Sequence, residues 1–157
     1  MPAKNLEEKI YETFSEVASS IGYSPLHGKI IGVLLVKGRP LSLKELAKET
    51  GYSPSMVSLS LDLLEVLGVI KKVKKTADRQ LYISLQGDLL EILKNAIAMR
   101  VTKSVSSTLT DFEESRKSLK TLPPEKRKEI ERTLDVLEKE IRRLDRYVKI
   151  LQRIRLP

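Results

Sequence analysis

The sequence has no cysteine, no tryptophan, two phenylalanines and a single histidine in 157 residues. Without thiols there is no disulfide framework and no thiolate metal site, and one imidazole cannot supply the ligand cluster of a zinc centre. No cofactor or metal is therefore expected. The seven glycines form no phosphate-cradling loop. The carboxylates fall on helical patterns at pairing distance from Lys and Arg, the ordinary arrangement of a solvated face, so an enzyme is not expected. His27, beside Gly28 near the start of a helical pattern, reads as structural. The longest run free of polar residues, Ile30 to Val36, is far short of the roughly 20 residues that span a bilayer. The opening MPAKNLEEKIYETF lacks the apolar core of a secretory signal, so the expectation is a cytoplasmic protein with no membrane partner.

What the chain does have is charge. Lys and Arg number 29 against 21 Asp and Glu, giving +8, and a hydrophobic share of 41% is enough for a globular core. An excess of this size favours polyanions, either nucleic acid or anionic lipid. It is spread along the chain, with 12 basic against 9 acidic residues up to Gly87 and 17 against 12 beyond it, so neither half is a basic tail. The local concentration is Lys71, Lys72, Lys74, Lys75 and Arg79, with Asp78 the one acid among them.

Capping residues and breakers divide the chain into six helices and one hairpin. Asn5 with Glu8 predicts an N-capped first helix that carries Leu6, Ile10, Phe14, Val17 and Ile21 on one face and stops at Gly22. Ser24 and Pro25 open a second, nearly all-apolar helix that runs through Val36. Ser42 and Glu45 predict a capping box for a short third helix, Leu43 to Thr50, closed by Gly51. Ser53 and Pro54 start a fourth helix over 53–67, with Val57, Leu61 and Leu64 at i, i+4 and i+7, and Gly68 closes it. Val69 to Val73 and Leu81 to Ser84 are β-branched or aromatic runs that predict a hairpin with a charged tip.

From Asp88 the helical period returns. Leu89, Leu93, Ala96, Ile97, Val101, Val105, Leu109 and Phe112 trace a stripe along a long helix toward Leu119, and Pro123-Pro124 breaks it. The last helix repeats Ile130, Leu134, Leu137, Ile141, Leu144, Val148 and Leu151 at alternating steps, a coiled-coil seam. A parallel, in-register self-pair would set Glu140 against Asp145, beside the largely acidic row Glu131, Glu138, Asp145 and Gln152. The seam is therefore expected to pack on a basic neighbour: the preceding long helix, the first helix, or their copies in a second subunit.

The third and fourth helices, joined by Gly51-Tyr52-Ser53, form a helix-turn-helix. Ala47 lets the helices cross closely, Gly51 supplies the left-handed turn, and Val57 packs the second helix back on the first. With the cationic hairpin directly after it, the unit is a winged helix-turn-helix. In such a unit the second helix enters the major groove of double-stranded DNA and the wing follows the phosphates. The expected contacts are Ser53, Pro54, Ser55, Met56, Ser58 and Leu59 on helix 53–67, side chains small or flexible enough for a groove. On wing 69–84 they are Lys74, Lys75 and Arg79, which neutralise phosphates, and Thr76, a neutral donor. Ser53 serves first as a helix cap.

The run from Gly38 to Ser84, about a third of the chain, resembles the MarR superfamily of transcription regulators, and most closely its GbsR branch. The residues that carry the resemblance are Pro40-Leu41-Ser42, Glu45-Leu46-Ala47, Gly51-Tyr52-Ser53, Val57-Ser58, Leu64-Glu65 and Asp78-Arg79. It implies a homodimeric repressor, or activator, on a pseudo-palindromic operator. It also implies that Asp78-Arg79 holds the wing and places Arg79 in the minor groove. A small-molecule effector stays open, although an aromatic content of 4% argues against an aromatic cage for a quaternary ammonium. Asp62 departs from the pattern, standing where a basic residue is expected beside phosphate; it either points away from DNA or pairs with a wing lysine.

The predicted architecture is mainly α with a small β-hairpin. Residues 1–87 form a winged helix-turn-helix head whose first helix also joins the dimer interface, and residues 88–157 are long C-terminal dimerisation helices. The alternative is a winged-helix module for protein or RNA contacts that binds no operator.

Overall fold

The computed structural model describes residues 2–75, 77 and 79–157. They form a mainly α winged helix-turn-helix with long C-terminal helices, in two compact units, Met1–Ile92 and Leu93–Pro157.

The first unit runs α1 (Ala3–Ser20), α2 (Pro25–Lys37), β1 (Leu41–Ser42), α3 (Leu43–Thr50), α4 (Pro54–Val66), β2 (Ile70–Lys74) and β3 (Leu81–Leu85), and ends in the first turn of α5. Ile30, Val33, Leu46, Val57, Leu61, Leu64, Ile70 and Ile83 are fully enclosed in its core. The hairpin pairs Ile70 with Leu85 and Lys74 with Leu81. The sheet has one strand more than expected, because Leu41 and Ser42 pair with Ile83 and Tyr82 on the free edge of β3. Two residues carry no alternation in sequence; their extended state comes from that pairing.

Two expectations for α1 are corrected. The helix begins at Ala3 with no side-chain cap, and Asn5 lies inside it, its N–H donating to the Pro2 carbonyl. The buried face is Tyr11 and Ala18 with Phe14 half-buried, whereas Leu6, Ile10 and Val17 are exposed. The cause lies on α2: a Cβ at Gly28 would collide with the Phe14 carbonyl, so glycine there lets the helices touch backbone to backbone on this face. Lys37 on α2 reaches Glu7 of α1 at 3.5 Å and Glu49 of α3 at 3.8 Å. The enclosed Tyr11 hydroxyl has no partner among the described residues. Burial, followed by the Glu7 and Glu49 carboxylates, pushes its phenol up to about 12.

Capping follows the sequence more closely on α2. Ser24 Oγ accepts from the Leu26 N–H at 3.3 Å, and the Ser24 N–H donates to His27 Nδ1 at 3.1 Å. His27 thus completes a capping box, and burial lowers its pKa below the usual value.

The second unit is a helical hairpin. α5 (Leu89–Ser118) extends into it from the first unit; a 3₁₀ turn (Leu119–Thr121) follows, then α6 (Pro124–Arg153). Arg116 on α5 reaches Asp135 and Glu138 on α6 at 2.8 Å each, so a basic residue of the long helix meets the acidic flank. Farther along, Lys94 Nζ donates to the carbonyls of Gln152 and Ile154, closing the last turn of α6. The apolar seam divides by row. Leu134 and Val148 are buried and Ile141 half-buried, but Leu137 and Leu144 stay 44% and 41% exposed. An open cavity of about 270 Å³ lies between the helices, bounded by Arg100, Val101, Ser104, Val105, Thr108, Ile141 and Leu144.

Candidate nucleic-acid interface

Local chemistry fixes the helix-turn-helix. Ser42 Oγ accepts from the Glu45 N–H at 3.2 Å and starts α3. The expected reciprocal half of that capping box is replaced, since the Glu45 carboxylate pairs with Arg39 at 3.0 Å. Gly51 ends α3 at φ +75 with nothing near its absent Cβ, so the glycine is required by the turn itself. Its N–H donates to the Ala47 carbonyl at 3.0 Å. Ser53 Oγ then accepts from the Met56 N–H at 3.3 Å and starts α4, and Val57 locks α4 into the core.

This geometry leaves Ser53, Pro54, Ser55, Met56, Ser58 and Leu59 all exposed at the N-terminal half of α4. Leu59 stands out at 74% exposure. The helix carries no Lys, Arg, Asn or Gln; its charges are Asp62 and Glu65.

The wing supplies the opposite sign. Lys71, Lys74, Lys75 and Arg79 are exposed, and the side chains of Lys71, Lys74 and Arg79 meet no partner among the described residues. Lys75 differs, with its ammonium 4.4 Å from the centroid of the Tyr82 ring on β3. The turn closes through the Lys75 N–H to the Gln80 carbonyl and the Arg79 N–H to the Lys75 carbonyl. Arg79 sits at φ +56, the one described non-glycine residue in the left-handed region. Thr76 and Asp78, and with them the expected Asp78-Arg79 pair, lie outside the described residues.

Lys72, at the base of the wing, is committed elsewhere. Its Nζ donates to Asp62 at 2.6 Å and lies 3.8 Å from Glu65. The hydrogen bond to Asp62 is the main reason its pKa is raised. Of the two options open for Asp62, pairing with a wing lysine is the one found. The expected list also missed Lys71, an exposed cation on β2, and Tyr82, whose signal was an aromatic across the hairpin from a lysine run.

Among the described residues no group of three or more His, Asp or Glu side chains comes together as a metal site, and no helix is long and apolar enough to cross a membrane.

The structure is similar to the crystal structure of a transcriptional regulator at 20% identity and TM-score 0.66, over 94% of this chain and 96% of that one. At that identity the likeness establishes a shared fold alone. Looser likenesses are a mutant MepR from S. aureus bound to an oligodeoxyribonucleotide, at 15% identity and TM-score 0.45 over 87% of this chain and 93% of that one, and wild-type MarR from E. coli, at 16% and 0.44 over 87% and 97%. At that distance neither bears on what this chain does. No family model matches the sequence, and no curated protein matches it significantly.

Proposed function

We propose that the protein is a sequence-specific, DNA-binding transcription regulator of the MarR type, nearest the GbsR branch, acting as a homodimeric repressor without enzymatic activity. The observation that carries this reading is the pairing, in one unit, of an exposed α4 N-terminal half with a hairpin whose Lys71, Lys74 and Arg79 have no partner among the described residues. Exposed cations on a hairpin are suited to phosphates, and a helix exposed at its N-terminal half is suited to base edges.

Dimerisation is part of the proposal. Residues 88–157 form the arm, α1 contributes its exposed Leu6, Ile10 and Val17, and the occupant of the open seam is a second copy of the chain. Three features support this: the fault-free heptad, the exposed Leu137 and Leu144 row, and the incompletely filled space between α5 and α6. A two-fold dimer presents two heads to two half-sites about one helical turn, roughly 10 base pairs, apart or a multiple of it.

Selection from random duplexes tests the reading. A pseudo-palindrome with that spacing is the expected product; recovery of no common sequence would overturn it.

A further inference from the structure

We infer that the protein reads its DNA site through the C5-methyl groups of thymine, with Met56 and Leu59 as the reading side chains. The inference rests on the DNA-binding function proposed above and specifies what the site on α4 recognises.

The major groove offers hydrogen-bonding edges and one apolar feature, the thymine methyl. Edges are discriminated chiefly by Arg, Lys, Asn and Gln, or by a free carboxylate on cytosine. The sequence of α4, PSMVSLSLDLLEV, contains none of the first four. Its two carboxylates are turned to Lys72, at 2.6 Å for Asp62 and 3.8 Å for Glu65. Ser55 and Ser58 remain, and a hydroxyl that both donates and accepts separates bases poorly.

Met56 and Leu59 are what is left. They are 52% and 74% exposed, three residues apart on one face, beside the exposed Ser55 and Ser58 and within the half of α4 that enters a groove. Apolar side chains in that position distinguish one major-groove group, the methyl of thymine. The charge beside them selects the occupant: Lys71, Lys74 and Arg79 on the adjacent hairpin favour a polyanion over an apolar peptide.

Uracil substitution tests this on the full-length protein, because replacing thymine by uracil removes the methyl and leaves every hydrogen-bonding edge intact. In the duplex selected by the protein, substitution within the half-sites is expected to weaken binding by about fourfold per methyl buried. The salt dependence stays the same, since no phosphate contact changes. The double variant Met56→Ala/Leu59→Ala, altered only at exposed positions, is expected to bind both duplexes equally with the wild-type salt dependence. Equal binding of the two duplexes by the wild type, or a thymine preference that survives in the double variant, would overturn the inference while leaving DNA binding in place. Absence of salt-sensitive duplex binding would overturn the underlying function as well and assign the apolar face of α4 to a protein partner.

Discussion

Lys72 of β2 donates to Asp62 of α4 at 2.6 Å, tying the base of the wing to the helix that carries Met56 and Leu59. Asp62 is 64% exposed, so the pair contributes at most about 1 kcal/mol to folding. At the proposed DNA interface the pair cancels an acid and withholds a cation. The double variant Asp62→Asn/Glu65→Gln frees Lys72 from both carboxylates and is expected to tighten binding to all duplexes alike and to steepen the salt slope by about one. Anisotropy titrations between 50 and 200 mM salt read this; an unchanged slope would place Lys72 out of reach of phosphate.

Leu137 and Leu144 are the positions to test for assembly. Within one chain they are 44% and 41% exposed, so Glu at either site would cost an isolated arm only about 0.5 kcal/mol. In a seam closed by a second copy the same change buries an unpaired charge and costs several kcal/mol. Leu137→Glu and Leu144→Glu are therefore expected to release folded monomers that lose most operator affinity but keep a salt-sensitive background. Sedimentation checks this, and a wild-type monomer at micromolar concentration with operator binding intact would remove the dimer.

Tyr11 carries an enclosed hydroxyl without a hydrogen-bond partner among the described residues. Tyr11→Phe removes the unsatisfied group and keeps the ring that packs α1 on α2. The variant is expected to be more stable by about 1 kcal/mol, measured by urea denaturation at pH 7. A loss of stability would mean that the hydroxyl is satisfied in solution.

His27 makes the start of α2 sensitive to pH. Its folded pKa is depressed by burial below the unfolded value near 6.5. Between those two values the unfolded chain binds more protons, so this contribution is complete above about pH 6.5 and is lost as the pH falls through the folded value. Protonation of Nδ1 also removes the acceptor for the Ser24 N–H. His27→Gln keeps an acceptor without titrating, so the melting temperatures of the two proteins are expected to diverge between pH 7 and 5, the wild type falling faster. Parallel curves would contradict it.

The helix-turn-helix was legible because its boundaries are set locally: Ser42, Gly51 and Ser53 each act on backbone within three or four residues. The heptad was legible for the same reason, as a periodicity along one helix. What escaped depended on contacts between elements. Of the expected stripe of α1, Phe14 and Ile21 are half-buried but Leu6, Ile10 and Val17 are exposed, because close approach at Gly28 turns the packed face about Phe14 toward Tyr11 and Ala18. β1 exists only as a partner of β3. On the wing, lysines alike in sequence differ in state: Lys72 is paired with Asp62, Lys75 rests on Tyr82, and Lys71 and Lys74 have no partner among the described residues. Cross-strand and helix-to-strand geometry makes those distinctions.

Binding of duplex DNA by the proposed α4 and wing face depends on phosphate neutralisation, and the salt dependence of affinity reads it out. Log K is expected to fall linearly with log salt between 50 and 200 mM with a slope of about −0.9 per phosphate neutralised, and Lys74→Ala or Arg79→Ala is expected to lower the slope by about one without changing the preferred sequence. An affinity that ignores salt over that range, or a slope untouched by both substitutions, would contradict it.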